Sequence, residues 1–503
     1  MLDLIIKNAS ILDGTGAPAF AGDVAVKDGK IVAVGKVEDE ATRVIDAKGL
    51  TLSPGWIDSH SHSDGTWLTQ PDQREKLEQG ITFSIAGQCG SSRAPSRSAE
   101  GKLTTVGEFL REVSELSLGS GGTMLIGHNN LRRAVMGAEK RAPTREEMEQ
   151  MKYLLHEGLE AGAIGMSFGL IYVPSCYSTT EEVVELARVV GEHGGILASH
   201  IRNEGAQLLE AVQEFLDVSR ASGCRAVVSH HKSSGEQNWG TVKQSLAMID
   251  AANADWADVY VDVYPYTASN TSLHATFLPN RFHPVGTKSV LELLDNEEVL
   301  GKIREFYAYR NNDFSYVLIN RFAPDPSLQA KTVNEIADLR GESDRLKVIF
   351  DLIRESKGSA TAMYFTMCEQ DVEYVLAHPR AMVCTDSGTA NGNPQYHPRL
   401  RASFPRVLGR YVRERGVTTL PEMIRKMTSL PAHVYGLASK GRIAVGMDAD
   451  LCLFDPDTII DRSDFKDCDR CNEGLAAVIV NGQVALENNV ANGVLATKIH
   501  TKS

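Results

Sequence analysis

The feature that most constrains the fold is a regular alternation of short apolar segments with longer amphipathic ones through the middle of the chain. Eight apolar segments read LSPGWIDSHSH, ITFSIAGQC, TMLIGH, AIGMSFG, GILASH, RAVVSH, DVYVDVYPY and AMVCTD. Stretches with helical periodicity, such as TEEVVELARVVGEHG, lie between them. Strand–helix alternation predicts parallel βα units, and eight such units predict an α/β fold of the (β/α)8 TIM barrel type.

The spacing of the polar residues that end these segments supports the same fold. From residue 62 to residue 264 the steps are 27 to 39 residues, each about one βα unit. The next step, from 264 to 386, is 122 residues and leaves about 85 residues beyond one unit. We therefore predict an insertion after barrel strand seven, at about residues 280–365.

The two ends of the chain have a different pattern. Residues 1–54 and the last 78 residues contain short alternating strands broken at turn sequences such as Lys-Asp-Gly and Asn-Gly. Neither end alone can bury a core, so we expect them to pair into one small β-sandwich domain. The predicted domains are 1–54 and 426–503 for this sandwich and 55–425 for the barrel.

Two histidines alternate at the end of the first predicted barrel strand. In WIDSHSHSD, His60 and His62 fall on one face of an extended strand and can reach one cation. Barrel active sites lie at the carboxyl ends of the strands, and zinc prefers nitrogen ligands of this kind. A lone His-x-His motif is weak evidence for a metal site, but its position at the end of the first predicted barrel strand strengthens that evidence.

Further candidate ligands end other strands. His200 and His230 each complete a strand in Ser-His, one βα unit apart, which core packing does not explain. Asp386 ends the eighth strand and could bind metal or move protons, although TDSG also suits a helix N-cap. Cys89 ends the second strand, where a thiolate could bind zinc, but a buried cysteine is more often packing.

Composition narrows the function classes. The formal net charge is −13 and no Lys/Arg run is present, which argues against a nucleic-acid partner. No apolar run reaches 18 residues and the N-terminus lacks the features of a signal peptide, so no membrane association is predicted. Eight irregularly spaced cysteines favour a reducing compartment, and we expect a cytoplasmic protein.

Together these motifs resemble the N-acyl-D-amino acid deacylases, or D-aminoacylases, of the amidohydrolase superfamily. The most specific segments are PGWIDSHSHSD, QGITFSIAGQCGSS, GLIYVPSCYSTTEE, ASHIRNEG, VVSHHKSSG, DVYPYTAS and HPRLRASFPRVLGRYVRE, and the likeness extends over essentially the whole chain. The resemblance implies a zinc-dependent enzyme acting on a small-molecule N-acyl-D-amino acid. The oligomeric state is left open.

The resemblance also implies a role for each candidate. Cys89, His200 and His230 would hold a tightly bound zinc, and His60 and His62 would line a second, weaker metal position. Asp386 would be the general base and acid. The fourth strand, AIGMSFG, has no lysine where many relatives carry a carboxylated one, so Cys89 would substitute for it.

Substrate-binding residues follow from the same likeness. Lys232, Tyr264 and Arg399 would hold the substrate carboxylate, and Tyr172 would line the acyl or side-chain pocket. Arg401 departs from the family pattern and raises the question of an acidic substrate. Two alternatives remain: a cyclic amidohydrolase such as a hydantoinase or dihydroorotase, and a non-catalytic scaffold.

Overall fold

The computed structural model describes residues 1–390 and 397–502 and has a mixed α/β fold. Two parallel sheets run through its middle. The first has the order Gly121–Met124, Ile81–Ala86, Trp56–Asp58. The second has the order Ile126–Gly127, Gly165–Gly169, Ile196–His200, Arg225–Val228, Val259–Val263, Ala381–Val383.

These strands are mostly apolar and almost fully buried because both of their faces are covered. Every residue of Ile81–Ala86, Gly165–Gly169 and Val259–Val263 is buried. Parallel strands flanked by helices have this near-continuous apolar character. The eight predicted segments therefore supply the strands of the parallel sheets, although two of them are divided.

The first division falls in LSPGWIDSHSH. Thr51–Pro54 belongs to a different, nine-stranded sheet, and only Trp56–Asp58 joins the parallel strands. Gly55 lies between them, and a Cβ there would meet the side chain of Thr82 at 2.2 Å. Close packing at this glycine thus marks the point where the chain passes from one sheet to the other.

Backbone hydrogen bonds also connect the two parallel sheets. The Leu125 amide donates to the Ala86 carbonyl at 2.9 Å, next to the break between Gly121–Met124 and Ile126–Gly127. On the other side, the Asp386 amide donates to the His60 carbonyl at 2.9 Å. The carboxyl ends of the strands consequently meet in one place.

Helices follow the strands and cover their outer faces. The longer ones are Val106–Ser114, His128–Met136, Arg145–Glu160, Thr180–Glu192, Leu208–Ser222, Val242–Asp255, Glu369–Ala377, Arg399–Arg406 and Leu420–Met427. Several begin where the sequence provides a cap: Thr105 and Thr144 each form a capping box with the glutamate three residues later. Local sequence thus fixes where these helices start.

Strands from both ends of the chain share the nine-stranded sheet. Its order is Val490–Ala491, Gln483–Glu487, Leu475–Val480, Leu451–Phe454, Thr51–Pro54, Leu2–Ile11, Phe20–Lys27, Lys30–Gly35, with Ala41–Asp46 also paired to Leu2–Ile11. A buried cluster that includes Ile6, Val24, Leu451 and Ile479 joins the two ends. Each end therefore buries apolar surface against the other.

A separate unit lies between Val259–Val263 and Ala381–Val383. Three strands, Ser269–Ser272, Thr361–Tyr364 and Val317–Arg321, form an antiparallel sheet. It carries the helices Leu273–Phe277, Glu297–Tyr307, Val333–Arg340 and Arg345–Glu355. We call residues 269–364 the insertion unit; its buried apolar side chains form a cluster of their own.

Among the described residues, none of the helices combines the length and apolarity needed to cross a membrane.

Candidate active site

Five of the six predicted metal ligands meet around the thiol of Cys89, and the sixth lies beside them. The Cys89 Sγ lies 3.2 Å from His60 Nε2, 3.2 Å from His230 Nε2 and 3.7 Å from His200 Nδ1. Ligand atoms of His60, Cys89, His230 and Asp386 all lie within 4.8 Å of one another. The Cys89 thiol therefore lies at the centre of a polar cluster and not in apolar packing.

Asp386 connects this group to His62. Its Oδ1 lies 3.2 Å from His62 Nε2 and 3.5 Å from His60 Nε2. The other oxygen, Oδ2, accepts a hydrogen bond from Arg399 Nη1 at 2.7 Å. Asp386 therefore has one oxygen facing the histidines and the other held by a cation.

Burial sets the protonation of the histidines. Burial lowers the pKa of His60 to about 3 and that of His230 to about 3. Both imidazoles are therefore neutral at neutral pH and keep a nitrogen lone pair. Neutral imidazoles beside a thiol form a donor set that suits a zinc ion.

Burial also acts on the two acidic groups of the cluster. It raises the pKa of the Cys89 thiol well above its usual value. Burial likewise favours the protonated form of Asp386, yet Arg399 and His230 hold its pKa well below the usual range. The carboxylate is ionised in this setting, whereas ionisation of the thiol requires a cation beside it.

A second set of potential ligand atoms lies next to the first. Atoms of His200, Glu204 and His230 lie within 4.8 Å of one another. Lys232 Nζ donates to Glu204 Oε1 at 2.6 Å and lies 2.8 Å from His230 Nδ1. Although burial opposes ionisation of Glu204, His200 and Lys232 hold its pKa well below the usual range.

Sequence reasoning missed two carboxylates here. Glu204 follows His200 by four residues in a loop, where strand-end spacing gives no signal. Asp262 lies inside Val259–Val263 and accepts a hydrogen bond from the His230 amide at 2.5 Å. Burial raises the pKa of Asp262 to about 7. Alternation along VYVDV, with Asp262 among apolar residues, is the signal that could have identified it.

The backbone is unusual at three of the clustered residues. Cys89, His230 and Asp386 have φ of 55°, 36° and 48°. Residues other than glycine rarely adopt this left-handed region, and such conformations gather at functional sites. At these three positions the left-handed backbone therefore gives the side chain a direction different from the one that a regular strand would give it.

A cavity of about 930 Å³ opens in front of the cluster. Three of the predicted substrate-binding residues, Tyr172, Lys232 and Tyr264, line it together with Asp386. Arg399 lies beside them, its guanidinium 5.1 Å from the centre of the Tyr264 ring. The structure therefore brings all four predicted substrate-binding side chains to one place.

Comparison with known proteins supports the resemblance read from the sequence motifs. The profile of the amidohydrolase family matches residues 43–486. A D-aminoacylase from Alcaligenes xylosoxydans xylosoxydans is 33% identical over 99% of this chain and 97% of its own length. An N-acyl-D-glutamate deacylase from the same organism is 36% identical over 96% of this chain and 93% of its own length. The chain belongs to the N-acyl-D-amino acid deacylases of the amidohydrolase family.

A solved structure extends the comparison to three dimensions. The crystal structure of N-acyl-D-glutamate deacylase from Bordetella bronchiseptica is complexed with zinc and a phosphonate inhibitor. It matches this amidohydrolase with a TM-score of 0.84 and 34% sequence identity, covering 98% of this chain and 99% of that chain. The family assignment made from the motifs is confirmed, and so is the mixed α/β fold.

Two other polar residues of this amidohydrolase lie outside the cluster. His128 ends the third predicted strand but begins a helix, where its Nε2 lies 3.0 Å from Glu182 Oε1. Arg401 contacts the carboxylates of Glu75 and Glu78 at 3.4 Å and 3.3 Å. Arg401 is therefore engaged away from the cavity and gives no support to an acidic substrate.

Proposed function

We propose that this amidohydrolase hydrolyses the amide bond of N-acyl-D-amino acids and releases a carboxylate and a free D-amino acid. The observation that carries the proposal is the buried cluster of His60, Cys89, His230 and Asp386 facing a cavity with cationic side chains. The substrate class is supported by the D-aminoacylase and N-acyl-D-glutamate deacylase relatives.

We further propose that Cys89, His200 and His230 hold one zinc ion tightly, and that His60 and His62 offer a weaker second position. The donor set fits, because the His60 and His230 imidazoles are neutral and each presents its Nε2 to the Cys89 thiol at 3.2 Å. Zinc in the Bordetella bronchiseptica relative supports the choice of metal. When bound, zinc supplies a Lewis acid for the amide carbonyl and lowers the pKa of a water molecule.

Asp386 is the proposed general base and acid. Its ionised carboxylate accepts a proton from the attacking water at Oδ1, the oxygen that faces His60 and His62. Arg399 holds Oδ2, so the carboxylate cannot rotate freely. Asp386 then returns the proton to the nitrogen of the leaving amine as the carbon–nitrogen bond breaks.

Lys232, Arg399 and Tyr264 are proposed to bind the α-carboxylate of the substrate. The Lys232 ammonium and the Arg399 guanidinium lie 5.6 Å and 5.1 Å from the centre of the same Tyr264 ring. Two cations on one ring suit a carboxylate placed between them. Tyr172, whose ring centre is 5.0 Å from that of His200, is proposed to line the acyl or side-chain pocket.

The finer features of the fold are part of the proposal. We propose that the parallel strands form one closed (β/α)8 barrel in residues 55–425, supported by the hydrogen bonds that connect the two sheets and by the pairing of Ser61 with Ser387. Residues 1–54 and 426–503 are proposed to form one β-sandwich domain, supported by their common cluster. The insertion proposed at about 280–365 overlaps all but the first residues of the insertion unit, 269–364.

We also propose that the enzyme works in the cytoplasm without a nucleic-acid or membrane partner. All eight cysteines, each within the described residues, are free thiols, as a reducing compartment would keep them. The acidic net charge of −13 supports a small-molecule substrate over a polyanion.

The decisive test is hydrolysis of N-acetyl-D-amino acids by zinc-loaded protein, with L-enantiomers and hydantoin as parallel substrates. We expect D-selective release of acetate, and a fall in kcat of about 10²- to 10⁴-fold for Asp386→Ala with zinc retained. Elemental analysis checks the metal. L-selectivity would contradict the proposal. Preferred hydrolysis of hydantoin would contradict it in favour of a cyclic amidohydrolase, and no turnover of any substrate would contradict it in favour of a non-catalytic scaffold.

A further inference from the structure

Glu204 lies against two of the proposed zinc ligands, on the side of each ring that faces away from Cys89. Its Oε2 lies 3.3 Å from His200 Nε2, and its Oε1 lies 3.0 Å from His230 Nδ1. The other ring nitrogens, His200 Nδ1 and His230 Nε2, lie 3.7 Å and 3.2 Å from the Cys89 Sγ. Each imidazole is therefore placed between one shared thiol and one shared carboxylate.

A carboxylate beside a neutral imidazole decides which ring nitrogen carries the proton. A neutral imidazole has one N–H and one nitrogen lone pair, whereas an ionised carboxylate can only accept hydrogen bonds. Glu204 therefore favours the proton on His200 Nε2 and on His230 Nδ1. The lone pairs are left on the two nitrogens that face the thiol. The histidines use different ring nitrogens, but the shared carboxylate gives both lone pairs the same direction.

Two hydrogen bonds hold Glu204 in this position. Lys232 Nζ donates to its Oε1 at 2.6 Å, and the Ser234 amide donates to its backbone carbonyl at 2.7 Å. Lys232 Nζ also donates to the His230 carbonyl at 2.8 Å, so the ammonium is itself anchored. The Glu204 side chain is only 12% exposed, and the neighbouring ammonium balances its charge there. The carboxylate is thus fixed through both its side chain and its backbone.

The contact distinguishes the two proposed metal positions. His60 Nε2, in the weaker position, lies 3.5 Å from Asp386 Oδ1 and also faces the thiol. Within the parts of the chain that the structure describes, the carboxylate beside His200 and His230 is that of Glu204. Glu204 is therefore placed to act on the tighter position.

We propose that Glu204 is a positioning residue that fixes His200 and His230 as ligands of the tightly bound zinc. This inference rests on the zinc assignment made with the proposed function, and it adds the residue that sets the affinity of that position. Glu204 acts through the two imidazoles, because its oxygens lie on the far side of the rings from the thiol. Ligands that are already held in the binding orientation lose less freedom when the metal binds.

The experiment measures zinc affinity and therefore does not depend on turnover. Zinc is removed from the full-length protein with a chelator, and competition with a chromophoric chelator gives the Kd of the tighter zinc. Glu204→Gln keeps the size of the side chain, but its amide turns N–H groups toward imidazole nitrogens that also carry a proton. We expect the Kd to rise by about 10- to 100-fold. A Kd within about threefold of the wild-type value would overturn the proposal.

Glu182→Gln is the matched control, because Glu182 is also a buried carboxylate that contacts one histidine and one cation. Its Oε1 lies 3.0 Å from His128 Nε2 and accepts a hydrogen bond from Arg132 Nη1 at 2.5 Å, away from the cluster. Circular dichroism and thermal unfolding check that both variants fold. We expect Glu182→Gln to keep the wild-type Kd for zinc. An equal loss of affinity in the two variants would reveal general disruption and overturn the positioning role.

A further variant separates the histidine contacts of Glu204 from its contact with Lys232. Lys232→Met removes the ammonium and leaves the carboxylate beside both imidazoles. We expect zinc to bind no more than about threefold more weakly, while KM rises because Lys232 is proposed to bind the α-carboxylate. A loss of zinc affinity as large as that of Glu204→Gln would assign the positioning to the lysine and overturn the proposal.

Cobalt(II) in place of zinc supplies a spectroscopic readout, since its visible absorption depends on the geometry of its ligands. We expect Glu204→Gln to change the visible bands of the cobalt-loaded protein and Glu182→Gln to leave them as in the wild type. If the wild-type protein hydrolyses no N-acyl-D-amino acid but Glu204→Gln still weakens zinc binding, the function fails and the positioning role stands. D-selective hydrolysis with equal zinc Kd values in wild type and Glu204→Gln would leave the function standing and overturn the positioning role.

Discussion

The carboxyl ends of the parallel strands and the insertion unit bury very different side chains. At the strand ends, Asp58 and Lys76 form an ion pair at 2.8 Å with both side chains fully buried. The insertion unit instead buries apolar side chains around Phe277, and its ion pairs, such as Arg340 with Glu355, lie at the surface. One region places charges where water is absent, whereas the other keeps charges out of its core.

This difference in buried side chains indicates what the strand ends and the insertion unit each contribute to the protein. A buried ion pair adds little net stability, because desolvation offsets much of the attraction. Asp58 and Lys76 are better explained by position: Asp58 accepts hydrogen bonds from the Thr385 amide and hydroxyl, and Lys76 donates to the Ser387 carbonyl. These contacts hold both neighbours of Asp386. The strand ends therefore position the groups that we propose to react, and the insertion unit supplies part of the wall of the cavity.

The largest effect should come from Cys89→Ala, which removes the atom at the centre of the cluster. We expect loss of the proposed zinc and of hydrolysis, because the remaining histidines would lose the thiolate that completes the proposed donor set. Elemental analysis after dialysis checks the metal. Cys224→Ala, at a buried thiol whose nearest recorded acceptor is the Ala187 carbonyl, is the control. Stoichiometric zinc in Cys89→Ala would contradict the assignment.

The next effect concerns the buried ion pair. Lys76→Met leaves the Asp58 carboxylate buried without its cation, so we expect a loss of about 3–5 kcal/mol in the free energy of unfolding. Chemical denaturation measures this. The double variant Lys76→Met/Asp58→Asn should recover part of the stability but not the activity, since the contacts on both sides of Asp386 change. Full activity in the double variant would show that the pair does not position Asp386.

In the insertion unit the corresponding substitution removes a buried apolar side chain, that of Phe277. The Phe277 ring lies 5.3 Å from the ring of Tyr307 and 5.6 Å from that of Phe314, measured between centres. Phe277→Ala should cost about 3 kcal/mol through the cavity it leaves. We expect limited proteolysis to cut within the insertion unit while zinc content stays at the wild-type level. Loss of zinc in parallel with the cleavage would mean that the two regions are not independent.

The smallest effect should come from a surface ion pair of the insertion unit. Arg340 Nη1 lies 2.8 Å from Glu355 Oε1, and both side chains are partly exposed. Arg340→Met should change the free energy of unfolding by no more than about 1 kcal/mol. Chemical denaturation beside Lys76→Met gives the direct contrast. A loss as large as that of Lys76→Met would remove the distinction between buried and exposed charges.

The parts of the fold that repeat were open to prediction from sequence. Strand-end positions pointed to His60, His200, His230 and Asp386, because parallel strands bring their carboxyl ends together. Cys89 was predicted mainly from the family likeness and from the lysine missing from the fourth strand. Family likeness supplied the candidate substrate-binding residues, and the structure brings Lys232, Tyr264 and Arg399 together. Periodicity and likeness together therefore reached most of the candidate site.

What escaped prediction depends on contacts between distant residues. Glu204 lies in a loop, and only the folded chain brings it into contact with Lys232 and His230. The division of LSPGWIDSHSH between two sheets depends on Leu451–Phe454, which pairs with Thr51–Pro54 from about 400 residues away. Local pattern carries no information on such pairings.

The left-handed backbone at the clustered residues has a consequence for protein engineering. Glycine adopts this conformation readily, whereas cysteine and histidine lose about 1–3 kcal/mol there. A screen that rewards thermal stability alone would therefore be drawn to Cys89→Gly and His230→Gly, at φ of 55° and 36°. Such a screen would enrich robust but inactive proteins, and selection for stability should be paired with selection for turnover.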